Sequence, residues 1–206
     1  ETVLAPLNRI GDEVGCKFDS ATGAVTTPPG FSQAYAQYVD GGWAGLVSPV
    51  EFGGQGMPHT AGVPLKEMID AANLAWGNFP LLSHGATEAT LPHGGPLQPE
   101  ALPKPILEGQ WTGPLCLTEP HCGTDLGLLR TKAVPNADGS YSISGTKIFI
   151  TAGEHDFTDN IVHLVLARLP DAPTGSKVIS IFIVPKMRVD HDGVIGDRKA
   201  VRSGSL

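Results

Sequence analysis

The stretch CLTEPHCGTD, residues 116–125, contains the densest set of side chains in this sequence that could take part in chemistry. Two cysteines, a histidine, two carboxylates and two threonines fall within these ten residues. Such a set could bind a metal ion, act in acid/base or nucleophilic catalysis, or form a loop that holds a large ligand. The spacing of the residues and the rest of the chain distinguish among these possibilities.

A metal site is disfavoured because His121 and Cys122 are adjacent and cannot easily bind one tetrahedral ion together. No second CxxC or HxxxH pattern supplies the missing ligands, so we predict no bound metal. Nucleophilic catalysis by Cys122 is also disfavoured, since the partners of a catalytic cysteine are usually distant in sequence. Both Cys116 and Cys122 can equally be small, buried, apolar residues.

A ligand-binding loop accounts for more of the residues. Thr118 and Thr124 offer hydroxyl groups, and Gly123 allows a ligand to approach the backbone closely. Glu119 and Asp125 can fix the loop by accepting backbone N–H groups, so we favour a structural role for Glu119 over a catalytic one. Successive free N–H groups in such a loop suit anionic or carbonyl oxygens. These features fit a flat cofactor with polar edges, although ordinary surface turns also use Asp and Thr.

Apolar residues recur at helical spacing before Trp111 and alternate as in strands after it. The first pattern predicts helices over 3–15, 31–39, 59–76, 81–91 and 99–107. The loop after the second of these contains Trp43, whose indole we expect to be anchored in the core. We therefore predict an all-helical domain over residues 1–112.

Residues after Trp111 are rich in β-branched side chains and turn signals. A hairpin that turns at Asp138-Gly139 is predicted, followed by a third strand around 147–151 in which two isoleucines alternate with other residues. Further strands are predicted over 160–169 and 177–184. The fold class is therefore α+β, with the helical domain followed by an antiparallel β-sandwich or partly open barrel over residues 113–206.

Composition excludes several classes of protein. The chain has 206 residues and a formal net charge of −7 without a run of Lys and Arg, so we expect no nucleic-acid partner. No apolar stretch approaches the roughly 18 residues of a membrane helix, and the first residues do not resemble a signal peptide. Three cysteines indicate a reducing cytoplasm rather than a disulfide scaffold. The absence of an initiator Met suggests a fragment.

Three motifs, in order, resemble those of the acyl-CoA dehydrogenases: GWAGLVSPVEFGGQG, CLTEPHCGTD and TKIFIT. The match extends over about 43–206, and GTKIFITAGEHD is most similar to the subgroup that includes the 3-methylmercaptopropionyl-CoA dehydrogenases. The resemblance implies an FAD enzyme that oxidises an acyl-CoA thioester to the 2,3-enoyl-CoA. A carboxylate would remove the α-proton while the β-hydrogen leaves as hydride to flavin N5. An electron-transfer acceptor protein and a homo-oligomer are also implied.

The same resemblance implies roles for individual residues. Thr118 would hydrogen-bond the pyrimidine edge of the flavin ring, Thr151 would donate to N5, and Phe149 would lie beside the ring. Thr124 and Ser176 would contact the acyl-CoA substrate. The implied cofactor-binding residues are Leu115, Cys116, Leu117, Thr118, Gly123, Thr124, Phe149, Ile150 and Thr151.

The family's catalytic carboxylate belongs to a C-terminal four-helix domain, and this sequence stops earlier, at VRSGSL. We therefore expect a truncated β domain, name no catalytic residue, and expect residues 1–206 alone to be inactive and to bind FAD weakly. An acyl-CoA oxidase or another flavoprotein of the same fold is an alternative. A non-catalytic β-sandwich binding module is an alternative of another class.

Overall fold

The computed structural model describes residues 1–93, 103–173, 175–190 and 192–204. Its helices are α1 (Leu4–Val14), α2 (Phe31–Asp40), α3 (His59–Thr90) and α4 (Pro103–Leu107). Its strands are β1 (Lys17–Asp19), β2 (Ala24–Thr26), β3 (Trp111–Thr112), β4 (Leu115–Cys116), β5 (Lys132–Pro135), β6 (Tyr141–Ser144), β7 (Asn160–Ala167), β8 (Ser180–Pro185), β9 (Met187–Val189) and β10 (Ile195–Arg198). The predicted α+β class, with helices before the sheet, is confirmed. None of the helices in these residues is both long and apolar enough to cross a bilayer.

The first half of the chain packs around Trp76, a completely buried residue of α3. Leu7 of α1 and two aromatic residues of α2, Phe31 and Tyr35, complete this core. The Trp76 indole N–H donates to the carbonyl oxygen of Phe31 at 3.1 Å, so the large side chain is buried with its polar group satisfied. Phe157 stacks on Tyr35 with ring centroids 5.3 Å apart, which joins the helices to the second half of the chain.

Helix α3 consists of two helical segments that meet at Asn73, whose backbone is extended there (φ −163°, ψ 91°). Asn73 Oδ1 accepts the N–H of Trp76 at 3.0 Å, so Asn73 is the N-cap of the second segment. The sequence predicts a break between residues 76 and 81 instead. That boundary is wrong because the capping side chain starts the second segment earlier and Pro80 lies within it.

Two features of the first half differ from the expectations. A short antiparallel hairpin, β1–β2, is added to the helices. The expected burial of Trp43 is wrong, since its side chain is 45% exposed. A 3-10 turn directly after Gly42 turns the indole back over Gly41, where a β-carbon would lie 2.5 Å from Trp43 Nε1. The predicted helix over 99–107 is present at Pro103–Leu107, and residues 99–102 lie outside the described ranges.

Strand β7 is the centre of the second half and is buried over nearly its whole length. Strand β8 pairs with one edge of β7 in antiparallel register. The short strands β3 and β4 pair with β7 in parallel, with Cys116 opposite Val165. These parallel pairs were not foreseen, because two-residue strands carry no periodicity and the connection to β7 spans more than 40 residues. Strands β9 and β10 form a separate hairpin.

The hairpin predicted at Asp138-Gly139 is confirmed, with β5 and β6 paired in antiparallel register and Gly139 at φ 83°. The third strand predicted at 147–151 is wrong, because the backbone there forms turns rather than a strand. Phe149 and Ala152 both have φ of 56°, in the left-handed region, and a strand cannot continue through such residues.

Candidate functional site

The CLTEPHCGTD loop leaves the sheet at the end of β4 and closes on itself in a tight turn. The N–H of Glu119 donates to the carbonyl of Cys122 at 2.8 Å, and the N–H of Cys122 donates back at 3.1 Å. Gly123 lies against Thr118, since a β-carbon at Gly123 would be 3.5 Å from Thr118 Cγ2. Asp125 Oδ1 accepts the N–H of Gly127 at 2.9 Å, so this acid fixes the end of the loop, as the sequence predicts.

The carboxylate of Glu119 is the centre of the hydrogen bonds that hold this loop, and its side chain is only 2% exposed. Oε1 accepts the N–H of Thr131 at 2.9 Å, the Thr131 hydroxyl at 2.5 Å and the Lys147 ammonium at 2.9 Å. Oε2 accepts the N–H of Arg130 at 2.8 Å. Burial would raise the pKa of Glu119, but these donors outweigh it and lower the pKa to about 2. A carboxylate held as a fully bonded anion is structural and is a poor base.

Residues 147–154, which we call the connecting segment, run beside the loop. Lys147 Nζ donates to the carbonyl of Leu117 at 3.1 Å in addition to its contact with Glu119. The backbone N–H of Ile148 donates to the carbonyl of Thr118 at 2.9 Å. These contacts bring together the two parts of the chain that were predicted to bind flavin.

The far end of the connecting segment is anchored separately. His163 Nε2 on β7 lies 2.7 Å from the carbonyl oxygen of Gly153. The Glu154 carboxylate forms ion pairs with Lys186 and, at 2.9 Å, with Arg198 Nη2. The segment is therefore held at both ends by contacts with the sheet and its hairpins.

Between these anchors the segment exposes the residues that were predicted to bind cofactor. Phe149 is 89% exposed and Thr151 is exposed as well. Phe149 and Ala152 are the non-glycine residues with positive φ in the described part of the chain. Such conformations persist only where the surrounding structure imposes them, and they concentrate at functional sites.

An open groove lies along the connecting segment, β7 and β8, and reaches residues of the first half of the chain. Four predicted cofactor-binding residues line it: Cys116, Phe149, Ile150 and Thr151. The other predicted residues lie outside its lining, namely Leu115, Leu117, Thr118, Gly123, Thr124 and Ser176. Thr118 nevertheless adjoins the groove through its hydrogen bond to Ile148. Within the described ranges, the hydroxyls of Thr118 and Thr151 make no hydrogen bond to protein.

Arg168, which the sequence analysis does not single out, connects the loop to the region of Ser176. Its guanidinium donates to the carbonyl of Gly127 at 2.8 Å, just after the loop, and to the carbonyl of Gly175 at 2.7 Å. It also donates to the carbonyl of Leu129 at 2.9 Å. The charged residue near the end of the apolar run NIVHLVLARL was the signal in the sequence that could have indicated this role.

Two histidines near the groove are buried. His155 Nε2 lies 2.8 Å from the Thr112 hydroxyl, while its Nδ1 accepts the N–H of Phe157 at 3.1 Å. Burial lowers the pKa of His155 to about 3 and also lowers the pKa of His163. The His155 imidazole is therefore not available as a charged acid near neutral pH.

Glu119, His121 and Cys122 place three possible metal-ligand atoms within 4.8 Å of one another. The two carboxylate oxygens already accept four hydrogen bonds from protein donors, so Glu119 is poorly suited to a metal. His121 Nε2 lies 3.0 Å from the carbonyl oxygen of Leu128, so this ring nitrogen already has a hydrogen-bond partner in the protein. The sequence-based expectation of no metal stays a prediction, to be tested by elemental analysis of the purified chain.

Comparisons with known proteins agree with the order of the motifs. Residues 115–201 match the sequence pattern described as "Acyl-CoA dehydrogenase, middle domain". The chain is 44% identical over 204 residues to 3-methylmercaptopropionyl-CoA dehydrogenase of Ruegeria pomeroyi, an alignment that covers 99% of this chain and 34% of that protein. It is 39% identical to a butyryl-CoA dehydrogenase of Syntrophomonas wolfei, with coverage of 99% and 34%. The chain thus spans about a third of the length of these curated relatives.

A solved structure described as an electron transferring flavoprotein of Acidaminococcus fermentans superposes with a TM-score of 0.71. It is 27% identical, and the superposition covers 90% of this chain and 44% of that chain. The sequence matches and this superposition together extend over both the helical half and the sheet. Over 99% of its length the chain is therefore similar to acyl-CoA dehydrogenases, and residues 115–201 match the middle domain of that family.

Proposed function

We propose that this chain supplies flavin- and substrate-binding residues of an FAD-dependent acyl-CoA dehydrogenase, which oxidises an acyl-CoA thioester to the 2,3-enoyl-CoA. One observation carries the proposal. The N–H of Ile148 donates to the carbonyl of Thr118 at 2.9 Å, beside the Lys147–Glu119 ion pair. This contact brings the motifs CLTEPHCGTD and TKIFIT side by side at one groove, although 20 residues separate them in the sequence.

The residues present fit a flavin ring. Phe149 offers an exposed aromatic side chain, and such a surface is more stable when it is covered by a flat, partly apolar ligand. Thr118 and Thr151 carry hydroxyls that make no hydrogen bond to protein in the described ranges, so both are available as donors. Ile150 and Cys116 add apolar groove lining between them.

Within this proposal the chain binds and orients the ring rather than reacting itself. FAD, when bound, supplies the hydride acceptor. Thr118 would hold the pyrimidine edge of the ring, and Thr151 would be the donor toward N5. Donors that are already in position would stabilise the negative charge that develops on the flavin, because they would not have to reorganise during the reaction. Phe149 would cover the ring and exclude water from one side.

The acyl-CoA would extend past Thr124 toward Ser176, and both of these hydroxyl residues are exposed. Arg168 connects the two regions by donating to the carbonyls of Gly127 and Gly175. The likeness to a 3-methylmercaptopropionyl-CoA dehydrogenase and to a butyryl-CoA dehydrogenase favours a short acyl chain. We also propose that an electron-transfer acceptor protein reoxidises the reduced flavin. We also propose a homo-oligomer for the full-length protein.

We assign no catalytic base to these residues. Glu154 and Asp190 are the carboxylates among the described residues that line the groove, and Glu119 lies just outside it. Glu119 and Glu154 are held in buried ion pairs, whereas the exposed Asp190 holds a turn by accepting the N–H groups of Asp192 and Val194 at 2.9 Å. A general base has to reach the substrate proton directly or through one water, and a fully bonded carboxylate cannot do so without breaking its contacts.

The proposal is tested on the full-length natural protein. We expect the purified protein to contain FAD, visible as a flavin absorbance spectrum, and anaerobic addition of 3-methylmercaptopropionyl-CoA or butyryl-CoA to bleach it. Thr118→Val should weaken FAD binding. Thr60→Val, an exposed threonine at the start of α3, is the matched control and should bind FAD as the unmodified protein does. A colourless protein that no acyl-CoA affects would refute the proposal.

A further inference from the structure

The connecting segment, residues 147–154, presents Phe149 and Thr151 to the groove although few of its own backbone groups are paired. Within the segment, the N–H of Gly153 donates to the carbonyl of Ile150 at 3.2 Å, and this hydrogen bond closes a turn. Phe149 and Ala152 both adopt left-handed backbone conformations, which are unfavourable for residues with a β-carbon. The exposed conformation of Thr151 must therefore be imposed from outside the segment.

Two external contacts restrain the start of the segment: the N–H of Ile148 donates to the carbonyl of Thr118 at 2.9 Å, and the side chain of Lys147 makes the second contact. The side chain is 10% exposed, and its ammonium nitrogen lies 2.9 Å from Glu119 Oε1 and 3.1 Å from the carbonyl oxygen of Leu117. Glu119 is itself held by the N–H groups of Arg130 and Thr131. Lys147 therefore ties the segment to a carboxylate that is already fixed to the sheet.

The restraint at the other end is independent of Lys147. Gly153 contacts His163 on β7, and Glu154 pairs with Lys186 and Arg198. If the first restraint is lost, the second still holds residue 154, and only the residues between them become free to move. Glu119 retains its backbone and hydroxyl donors in that case, so the loop is expected to keep its shape.

We infer that Lys147 is a positioning residue, which sets the place of Thr151 and Phe149 relative to Thr118 through its contacts with Glu119 and Leu117. This inference rests on the proposed function for its effect on flavin. Its structural part concerns the chain without cofactor and can be measured separately. Lys147 touches no reacting atom in this account, so its loss should change geometry and affinity rather than abolish the chemistry.

The first experiment is hydrogen exchange followed by mass spectrometry on the chain without FAD, comparing Lys147→Met with the unmodified protein. The amides of Ile148 and Gly153 should exchange about 10- to 100-fold faster, as expected for the loss of hydrogen bonds made by a charged group. The amides of β7 should exchange at their original rate. Lys132→Met, an exposed lysine of β5, is the control and should change neither region.

The conservative variant distinguishes positioning from general stabilisation. Lys147→Arg retains a cation with several donors, and slow exchange at Ile148 should be largely restored. Unchanged exchange in Lys147→Met, or an equal increase throughout β7, would overturn the inference. If Lys147→Met does not fold, Lys147→Gln replaces it, because the amide can still donate to Leu117 but does not carry the charge that pairs with Glu119.

The second experiment uses the full-length protein loaded with FAD. Lys147→Met should raise the Kd for FAD about 10- to 100-fold and shift the long-wavelength flavin absorbance band, and Lys147→Arg should reverse most of both changes. An unchanged Kd and an unchanged spectrum would overturn the inference. If local exchange increases as expected but the unmodified full-length protein binds no FAD, the proposed function fails and the structural role of Lys147 stands.

Discussion

Replacing Arg168 with methionine removes a guanidinium group on which the second half of the chain depends. The side chain donates to five backbone carbonyls, those of Leu126, Gly127, Leu129, Pro173 and Gly175. Methionine retains much of the apolar stem but has no donor. These carbonyls belong to segments that no described strand ladder holds, so the side chain links them by hydrogen bonds to the end of β7, in addition to the packing of Leu129 with Leu166.

The expected loss follows from the quality of these bonds. Three are short, between 2.7 and 2.9 Å, whereas the bonds to Pro173 and Leu126 are 3.2 and 3.5 Å long. A hydrogen bond from a charged donor contributes about 1.5–3 kcal/mol, and the half-buried position of Arg168 allows water to replace part of this. Three bonds at the lower limit amount to about 4.5 kcal/mol, and partial replacement by water leaves an expected loss of about 3–4 kcal/mol in the free energy of unfolding. That is a large fraction of the roughly 5–15 kcal/mol typical of a domain.

Urea denaturation of the purified chain measures this loss as a lower midpoint at an unchanged slope. Arg168→Lys should recover only part of it, because one ammonium cannot reach carbonyls that a planar guanidinium spans. Arg130→Met is the control, since Arg130 is exposed and a change there should stay within about 0.5 kcal/mol. A loss below about 1 kcal/mol for Arg168→Met would refute the reasoning from hydrogen-bond quality.

Three further predictions address the buried histidine, the predicted flavin contact and the thiols. The pKa of His155 is lowered by burial to about 3, so between pH 6 and 3 the unfolded chain binds a proton that the folded chain does not. The free energy of unfolding should therefore fall by up to about 1.4 kcal/mol per pH unit as the pH drops from 6 toward 3. His155→Gln should show a shallower slope in pH-dependent denaturation. In the full-length protein, Thr151→Val should slow flavin reduction roughly 10- to 1000-fold in stopped-flow absorbance, and an unchanged rate would make Thr151 a purely structural residue. Of the three cysteines only Cys16 is exposed, so a thiol reagent should label one group in the native chain and three in denaturant, and three fast-reacting thiols in the native chain would contradict the fold.

The α+β organisation follows from periodicity alone, because the change from helical spacing to alternation reflects which faces of each element are buried. The hairpin at Asp138-Gly139 follows equally from local turn chemistry. The position of the break in α3 does not follow from the sequence. Pro80 is a visible signal for a break, but the break lies at Asn73, and capping by Asn73 depends on where Trp76 packs. Trp43 was misplaced for a similar reason, because apolar character does not reveal which way a 3-10 turn points.

For the candidate site, the residue types and their order were enough to identify the two motifs and to assign expected contacts to Thr118, Phe149 and Thr151. Only the tertiary structure decided how the motifs meet. The pairing of Glu119 with Lys147 spans 28 residues, and the contact of His163 with Gly153 joins a buried strand to a turn. Sequence patterns record the preference of each residue for its own local conformation and burial. The left-handed turns at 149 and 152 instead result from restraints at both ends of the connecting segment, and these restraints exist only once the chain has folded.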